Sequence, residues 1–585
     1  MNAQGSPAAL AAIAVDNLLF SHYILIVLSA IVVSFFIYRI AIGSIRHLRT
    51  LTCLNNDTQR YFRTPNKIYG FIKQHLFYAP LFRKRHSRPV RAGPVDLGTL
   101  PTRLQGLLLI GIIAMNVVLC VYGIEWHGPL VTKLKHFRNR AGTLAVVNLI
   151  PLVIMSGRNN PLIWLLNIPY DTFNLMHRWF GRIVVSLVIT HATAEIINMV
   201  VTGTMGEDHP SGFEIFQQTL ATTRFITFGF VALVAFVAII LTSHAAFRHA
   251  FYETFWHIHV ALVSLILAAL WIHLQGLTQL NYVKAVIAIW VVERAQRLII
   301  LLYRNLGPTT TRANIELLPG DALRVNIHLA HPWIFHPGQH IFLTIPSIGL
   351  HTAHPFSLAW SETLPQLAPS PDLEKDTLNS DILSLPQTSL SLVIRRRSGF
   401  TNRLYTKCAS APNTRLSLPA LVEGPYGGSH DFTSYGTIML FAGGVGITHQ
   451  LPFVRSLLAG YASGTVAARK VTLIWVIQAP EHLEWIRPWM TSILAMPKRR
   501  DLLRIQLFVT RPRNSREIHS PSATVQMFPG KPNVEKLVEM ECREQIGAMG
   551  VGVCGPGGLG DDVREAVRKR QGEREVDLLE EGFGW

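Results

Sequence analysis

The sequence predicts a membrane-embedded, all-α helical bundle followed by a cytosolic module with two parts: an antiparallel β-barrel and an α/β doubly wound domain. Three observations predict it. The 585 residues are 49% apolar and 15% charged, with mean hydropathy +0.28, which is too apolar for a soluble chain and enough for several membrane spans. The long apolar runs all lie before Arg304. Beyond it come short strand-like runs broken by Gly and Pro, and then strands alternating with helices, the rhythm of a parallel sheet.

The apolar runs that read as spans are 18–40, 104–124, 141–156, 174–200, 224–243, 255–274 and 282–303. The third is short and contains Pro151. No basic stretch precedes the first run, which reads as a retained anchor and not as a cleaved signal. Thirteen Lys/Arg lie between Arg39 and Arg103, placing that loop in the cytosol against anionic lipid. Further basic residues mark the loop 244–254 (Arg248) and the end of the last span (Arg294, Arg297, Arg304). The loop 201–223 holds Glu207, Asp208 and Glu214 and no Lys/Arg, and 275–281 has none either. Seven spans with the N-terminus outside and the C-terminus inside satisfy this pattern, except at 125–140, where Lys133, Lys135, Arg138 and Arg140 fall outside. The sequon Asn56-Asp57-Thr58 is then cytosolic and unmodified. The net charge of +18 has no nucleic-acid recognition module beside it. The five cysteines (Cys53, Cys120, Cys408, Cys542, Cys554) show no paired spacing, which argues against a disulfide framework or a zinc site.

Within the fourth and sixth spans stand His177 and His191, then His259 and His273, each pair fourteen residues apart. Fourteen steps of ~100° return nearly to the starting face, with roughly 21 Å of rise between the two rings. A lone histidine in an apolar helix is ordinarily a hydrogen-bonded core residue. Two equal spacings on spans that the loop charges make parallel point instead to two metal cofactors stacked across the bilayer, each held by two imidazoles. His257 competes with His259, but it lies ~200° around the helix and sixteen residues from His273. Arg178 and Arg182 flank the inner ligand, where they either pair with acidic cofactor groups or follow the positive-inside rule.

The cytosolic strands are LRVNIHL, HIFLTIP, FSLAW and LSLVIRR, with a Ser/Pro/Asp-rich insertion at 361–389. His354-Pro355-Phe356-Ser357 suits a strand that presents backbone and a hydroxyl to a flat ring system, although HP pairs are also common in turns. Arg395 precedes Gly399-Phe400-Thr401 at a helix start, either an anion site or a solvated basic turn. FAGGVGIT (Phe441–Thr448) and CGPGGLGDDVR (Cys554–Arg564) each follow a strand and open a helix. Both have the form of phosphate loops and flank one edge of the sheet, though neither is a G-x-G-x-x-G fingerprint.

The paired histidine helices, HPFS, EGPYGG (Glu423–Gly428), AGGVGIT, VCGPGG and an aromatic C-terminus resemble the ferric reductase group of the NADPH oxidase superfamily over about residues 104–585. APEHLEWIRPWM and GITHQLP are similar in particular to fungal plasma-membrane metalloreductases. The resemblance implies four regions: an N-terminal span and basic cytoplasmic loop (1–103), a six-helix transmembrane domain holding two haem b (104–304), an FAD-binding β-barrel (311–430) and a ferredoxin-reductase-like NADPH domain (431–585). It implies His177, His191, His259 and His273 as haem ligands. It places His354, Pro355, Phe356 and Ser357 at the flavin, with Arg395, Gly399 and Thr401 near its phosphates. Gly443, Gly444, Gly446 and Thr448 fall at the NADPH pyrophosphate, Cys554-Gly555-Pro556 near the nicotinamide, and Trp585 over the flavin ring. His449 stands where a Pro is usual. Gln478 stands where an Arg is common, leaving Thr510-Arg511 as the candidate for the 2′-phosphate.

By this resemblance, electrons pass from cytosolic NADPH through FAD and two haems to ferric chelates or siderophores, or to cupric copper, outside the plasma membrane, coupled to iron uptake. One rival is a superoxide-generating oxidase, in whose members the second histidine pair tends to be thirteen apart. The other is a non-catalytic membrane scaffold. Glu207, Asp208, His209 and Glu214 read either as a metal-attracting outer loop or as a solvated acidic one.

Overall fold

The computed structural model describes residues 7–82, 85–93, 95–124, 126–203, 211–307, 309–350, 352–364, 387–428, 430–512 and 520–582. The chain forms two units: Met1–Ala41 with Val90–Gln296, and Ile42–Pro89 with Arg297–Trp585.

The first unit is helical. Its principal helices are α1 (Pro7–Cys53), α2 (Arg103–Val121), α3 (Leu130–Ser156), α4 (Tyr170–Gly203), α5 (Gly212–Thr222), α6 (Arg224–Thr242), α7 (Tyr252–His273) and α8 (Leu280–Asn305), of which α1 and α8 continue into residues of the second. Among the described residues, six helices are long and apolar enough to cross a membrane: Val15–Cys53, Arg103–Val121, Leu130–Ser156, Tyr170–Val201, Arg224–Thr242 and Tyr252–His273. The seventh expected span is helical, as α8, but Lys284, Glu293, Arg294 and Arg297 keep it out of that set. The third expected span begins at Leu130 and not at 141. Between Pro129 and Ala141 no Pro or Gly intervenes, and Lys, Leu and Arg are good helix formers, so the charged stretch joins the apolar one.

The bundle core packs Val146 and Leu149 of α3, Val184 and Val185 of α4, Phe236 of α6, and Leu267 and Leu270 of α7. An apolar interior leaves no polar group without a partner at small cost. The buried Arg140 accordingly donates to Asn17 (2.6 Å) and to the last carbonyls of α2, Leu119 O (2.8 Å) and Tyr122 O (3.1 Å), with its guanidinium 4.0 Å from the Phe20 ring centre. Arg138 is ion-paired with Glu195. Two of the four basic residues that strain the loop-charge pattern are therefore tied down inside the bundle. Asn148 donates to Asn116 (2.7 Å), joining α3 to α2.

The second unit begins with antiparallel strands β1 (Arg312–Leu318), β2 (Ala322–His328), β3 (Gln339–Thr344), β4 (His354–Ser357), β5 (Trp360–Leu364), β6 (Gln387–Arg395), β7 (Arg415–Pro419) and β8 (Leu421–Gly427). They form a five-stranded sheet, β5-β6-β2-β1-β7, and a three-stranded one, β8-β3-β4. Alternate residues turn inward, among them Ala313, Ile315, Leu323, Val325, Ile327 and Leu392, as a sheet with one buried face requires. The expected insertion at 361–389 is shorter than its composition suggests, because Leu364 pairs with Gln387 and both ends are strand. Its middle lies outside the described residues.

A six-stranded parallel sheet follows, from β9 (Thr437–Gly443), β10 (Lys470–Ile477), β11 (Leu503–Val509), β12 (Val525–Pro529), β13 (Met549–Cys554) and β14 (Val576–Glu581), in the order β12-β11-β10-β9-β13-β14. Every residue of β9 and of β13 is buried, the signature of central parallel strands. The strand order reverses between these two. That is the switch point at which doubly wound sheets bind ligands.

The basic stretch 42–89, expected against lipid, packs on this sheet domain. Lys73 is 1% exposed, and its ammonium donates to Glu575 (2.8 Å) and Asp577 (3.1 Å). Burial raises the Asp577 pKa, but Lys73, Arg49 and Arg46 outweigh it and hold the carboxyl below the usual carboxylate range. Arg49 donates to Ser434 (2.8 Å) and lies over the Tyr435 ring. The amides of His86, Ser87 and Arg88 converge on Asp561 (2.9, 2.7 and 3.1 Å). Asn56, the sequon residue, accepts from the amides of Thr58 and Gln59 (3.0 Å each), closing a turn. Replacing Lys73 by Ala takes the shared ammonium from two half-buried carboxylates, so a loss of about 2–3 kcal/mol is expected. A thermal melt of the full-length protein checks it, and an unchanged midpoint would deny the cage its role.

Candidate functional site

In the helical unit, α4 carries His177 and His191 and α7 carries His259 and His273. The ring centres of His177 and His259 are 6.3 Å apart, and those of His191 and His273 are also 6.3 Å apart, with interplanar angles of 69° and 77°. A metal–imidazole bond of about 2.0–2.1 Å puts each ring centre roughly 3 Å from the metal, so opposed rings around one ion stand roughly 6 Å apart. Both pairs meet that distance. The 177–259 and 191–273 pairing also requires α4 and α7 to run parallel, as the loop charges implied.

Three of the four rings are oriented from outside the pair. His177 Nδ1 donates to Leu152 O (2.9 Å), His191 Nδ1 to Arg138 O (2.9 Å) and His273 Nδ1 to Phe225 O (2.7 Å). A carbonyl only accepts, so Nδ1 carries the proton and the Nε2 lone pair is left for a metal. His259 Nδ1 is buried with no hydrogen-bond partner among the described residues. The competing His257 is exposed, directs Nδ1 to Glu253 O (2.7 Å) and lies edge-on to Trp256. Arg182 stacks over Trp179 (4.5 Å), and Arg178 Nε is buried without a hydrogen-bond partner among the described residues.

Among the described residues no group of three or more His, Cys, Asp or Glu is placed to hold a metal ion. Each histidine pair would offer a metal between its rings two imidazole donors. The equatorial positions would have to come from a cofactor, and a planar macrocycle supplies those. In the 201–223 loop, Glu214 serves the fold by accepting from Ser211 N (2.8 Å) in the cap of α5. Glu207, Asp208 and His209 lie outside the described residues.

In the second unit, β4 holds His354, Pro355, Phe356 and Ser357 against β3, with Ser357 opposite His340. The His354 ring stacks on Phe400 (4.5 Å, 24°), which brings HPFS to the start of helix α9 (Phe400–Ala409). Gly399 caps that helix at φ 69°, ψ −130°, a conformation that disfavours a side chain. The Thr401 hydroxyl accepts from Arg397 N (2.9 Å). Arg395 donates to Gln478 (3.2 Å), so the residue expected near the flavin phosphates meets the one that stands where an Arg is common. The Arg511 amide donates to Gln478 O (2.9 Å), and the Arg511 side chain is exposed. Residues missed in the sequence buttress this face. The buried Glu423 of EGPYGG accepts from Arg297 (2.8 and 2.7 Å) and from the Tyr426 hydroxyl (2.6 Å). Only a long-range pairing could have signalled that.

The two glycine loops touch at the switch point. A Cβ on Gly443 would lie 2.4 Å from Pro556, one on Gly446 2.2 Å from Cys554 O, and one on Gly555 2.9 Å from Gly443. Gly444 has φ +55° and open space beside it. The loop's carbonyls are turned inward: Gly444 O accepts from Trp475 (2.9 Å) and Val445 O from the Thr448 hydroxyl (2.8 Å). The loop runs straight into helix α10 (Ile447–Ser463), whose N-terminal amides suit a phosphate. Burial, with Glu581 near, pushes the Cys554 thiol well above its ordinary range, so it stays protonated. Burial lowers His449 to about 4, leaving it neutral inside α10. Trp585 lies outside the described residues.

Comparison with known proteins agrees with this arrangement. Residues 141–270 match the ferric reductase like transmembrane component, 309–367 an FAD-binding domain and 435–568 the ferric reductase NAD binding domain. The chain is 23% identical to ferric/cupric reductase transmembrane component 2 of Saccharomyces cerevisiae, over 95% of this chain and 76% of that protein. It is 22% identical to ferric reductase transmembrane component 3 of the same yeast, with the same coverage. With ferric/cupric reductase transmembrane component 1 of Candida albicans it shares 24%, over 86% of this chain and 65% of that one. With apolar helices in one unit and FAD- and NAD-binding domains in the other, the chain is an integral membrane protein and belongs to the ferric reductase transmembrane family.

Proposed function

We propose that the chain carries electrons from cytosolic NADPH, through FAD and two b-type haems, to ferric chelates, siderophores or cupric copper outside the plasma membrane, in support of iron uptake. The N-terminus is outside and the C-terminus cytosolic, with α8 as the last crossing. The observation that carries this reading is the pair of opposed imidazole couples, each with ring centres 6.3 Å apart, at matching heights on parallel helices. When bound, the flavin divides a hydride into single electrons and the haem irons pass them on singly.

The chain's own part is to bind, orient and insulate. His177 and His259 would hold the inner haem, with Arg178 as the buried donor for an acidic edge of that cofactor. His191 and His273 would hold the outer one. The fourteen-residue spacing in both histidine pairs favours a metal chelate over superoxide production. His354 to Ser357, Arg395, Gly399 and Thr401 would hold FAD. Gly443, Gly444, Gly446 and Thr448 would hold the pyrophosphate of NADPH, with Gly555 and Pro556 at the nicotinamide beside the neutral Cys554 thiol, and Trp585 over the flavin. Arg511 is the donor for the 2′-phosphate.

His191→Ala or His273→Ala is expected to abolish reduction of an external ferric chelate by intact cells while leaving NADPH-driven reduction of a soluble dye intact. Loss of both activities together would count against the wire. Chelate reduction that disappears with superoxide dismutase would instead indicate the oxidase. Gly446→Ala must spread the two glycine loops, so kcat/KM for NADPH is expected to fall roughly 10²-fold with the flavin spectrum unchanged. Steady-state kinetics on purified protein measure it, and a normal value would remove Gly446 from the nucleotide site.

A further inference from the structure

The two imidazole pairs are not built alike. At the His191/His273 pair both rings donate from Nδ1 to a helix carbonyl, Arg138 O in α3 and Phe225 O in α6. In each case the residue four positions further along the same helix is a glycine, Gly142 and Gly229 respectively. A Cβ added at Gly142 would lie 2.7 Å from His191 Nδ1 and 3.0 Å from its Cε1. One added at Gly229 would lie 2.8 Å from both Nδ1 and Cε1 of His273. The geometry has a general cause. Helical Cα–Cβ bonds tilt towards the N-terminus, so the side chain at i+4 covers the turn containing carbonyl i. That carbonyl is already engaged within its helix, and an outside donor reaches it only where the covering side chain is missing.

The His177/His259 pair lacks this device. His177 reaches Leu152 O, but the residue four positions on is Ser156, and His259 Nδ1 has no partner among the described residues. No described glycine other than Gly142 and Gly229 has a histidine of either pair among its nearest Cβ neighbours.

We infer that Gly142 and Gly229 are positioning residues for the His191/His273 cofactor alone: by leaving two helix carbonyls uncovered, they set the tautomer and rotation of both axial imidazoles at that site. This rests on the haem reading above and adds which residues aim the ligands of one haem and not the other. An added methyl must push the ring off its carbonyl, tilting Nε2 away from the iron and removing the hydrogen bond that makes the imidazole a stronger donor.

The test uses full-length protein purified in detergent, with Gly142→Ala and Gly229→Ala made separately. Gly181→Ala in α4 is the control, since its nearest neighbour would be Leu152 Cδ1 at an ordinary 3.8 Å. Glycine to alanine ordinarily favours a helix, so a defect reports the ring contact. Haem content, low-spin electron paramagnetic resonance signals and a redox titration are read on each. Both variants are expected to lose or shift one of the two haem signals, the same one that His273→Ala removes, while the other signal and the control stay as in the parent chain. The variants lie on different helices, so one that folds suffices. Two unchanged signals in a folded variant, or equal disturbance of both, would overturn the inference. A parent chain without a bis-imidazole haem spectrum would instead sink the haem reading, and this inference with it.

Discussion

The separation of two imidazole rings across α4 and α7 is the constraint to which the helical unit answers. Ring centres 6.3 Å apart at two heights require the helices to be parallel and in register, so an odd number of crossings must separate them in the chain. One long apolar helix, α6, makes that return. It also serves the site, since Phe225 offers its carbonyl to His273 and stacks its ring on it at 4.2 Å. α3 does the same for the other helix, reaching His177 through Leu152 and His191 through Arg138. Two helices carry the histidines and two orient them.

The two units treat buried charge in different ways. Among membrane-spanning helices, Arg140 is distributed over an amide oxygen, two carbonyls and an aromatic face. That arrangement spreads one charge over dipoles where a counter-ion would itself need burying. In the sheet domain the reverse holds. Lys73 meets two carboxylates directly, and Asp577 is shared with the hydroxyl of Tyr435. Lys73 and Arg49 of the basic stretch thereby become part of a protein interior, which composition alone did not signal.

What was legible in the sequence was whatever repeats or alternates. The fourteen-residue histidine spacing, the inward alternation of the barrel strands and the strand–glycine–helix rhythm all depend on local periodicity. What was illegible was pairing between distant residues. Arg395, expected near a phosphate, and Gln478, standing where an Arg is common, look unrelated until β6 and the end of β10 bring their side chains to 3.2 Å. The insertion appeared to start at 361 because Ser and Pro dominate there, yet its flanks are held by the β5–β6 ladder. Glu214, read with its neighbours either as a metal-attracting loop or as a solvated acidic one, serves a helix cap.

The meeting of the glycine loops follows from topology more than from loop sequence. Because β13 returns to lie beside β9, the turns after both strands emerge at one point, and the backbones approach too closely for any Cβ at Gly443, Gly446 or Gly555. Neither loop needs a dinucleotide fingerprint for the two to meet at the switch point. Each has to be thin where the other passes, and in the first loop two carbonyls are engaged by Trp475 and Thr448. The same logic operates at Gly142 and Gly229 in the membrane helices, where a missing side chain exposes an acceptor. In both units the glycines matter for the atoms that their absent side chains allow to meet.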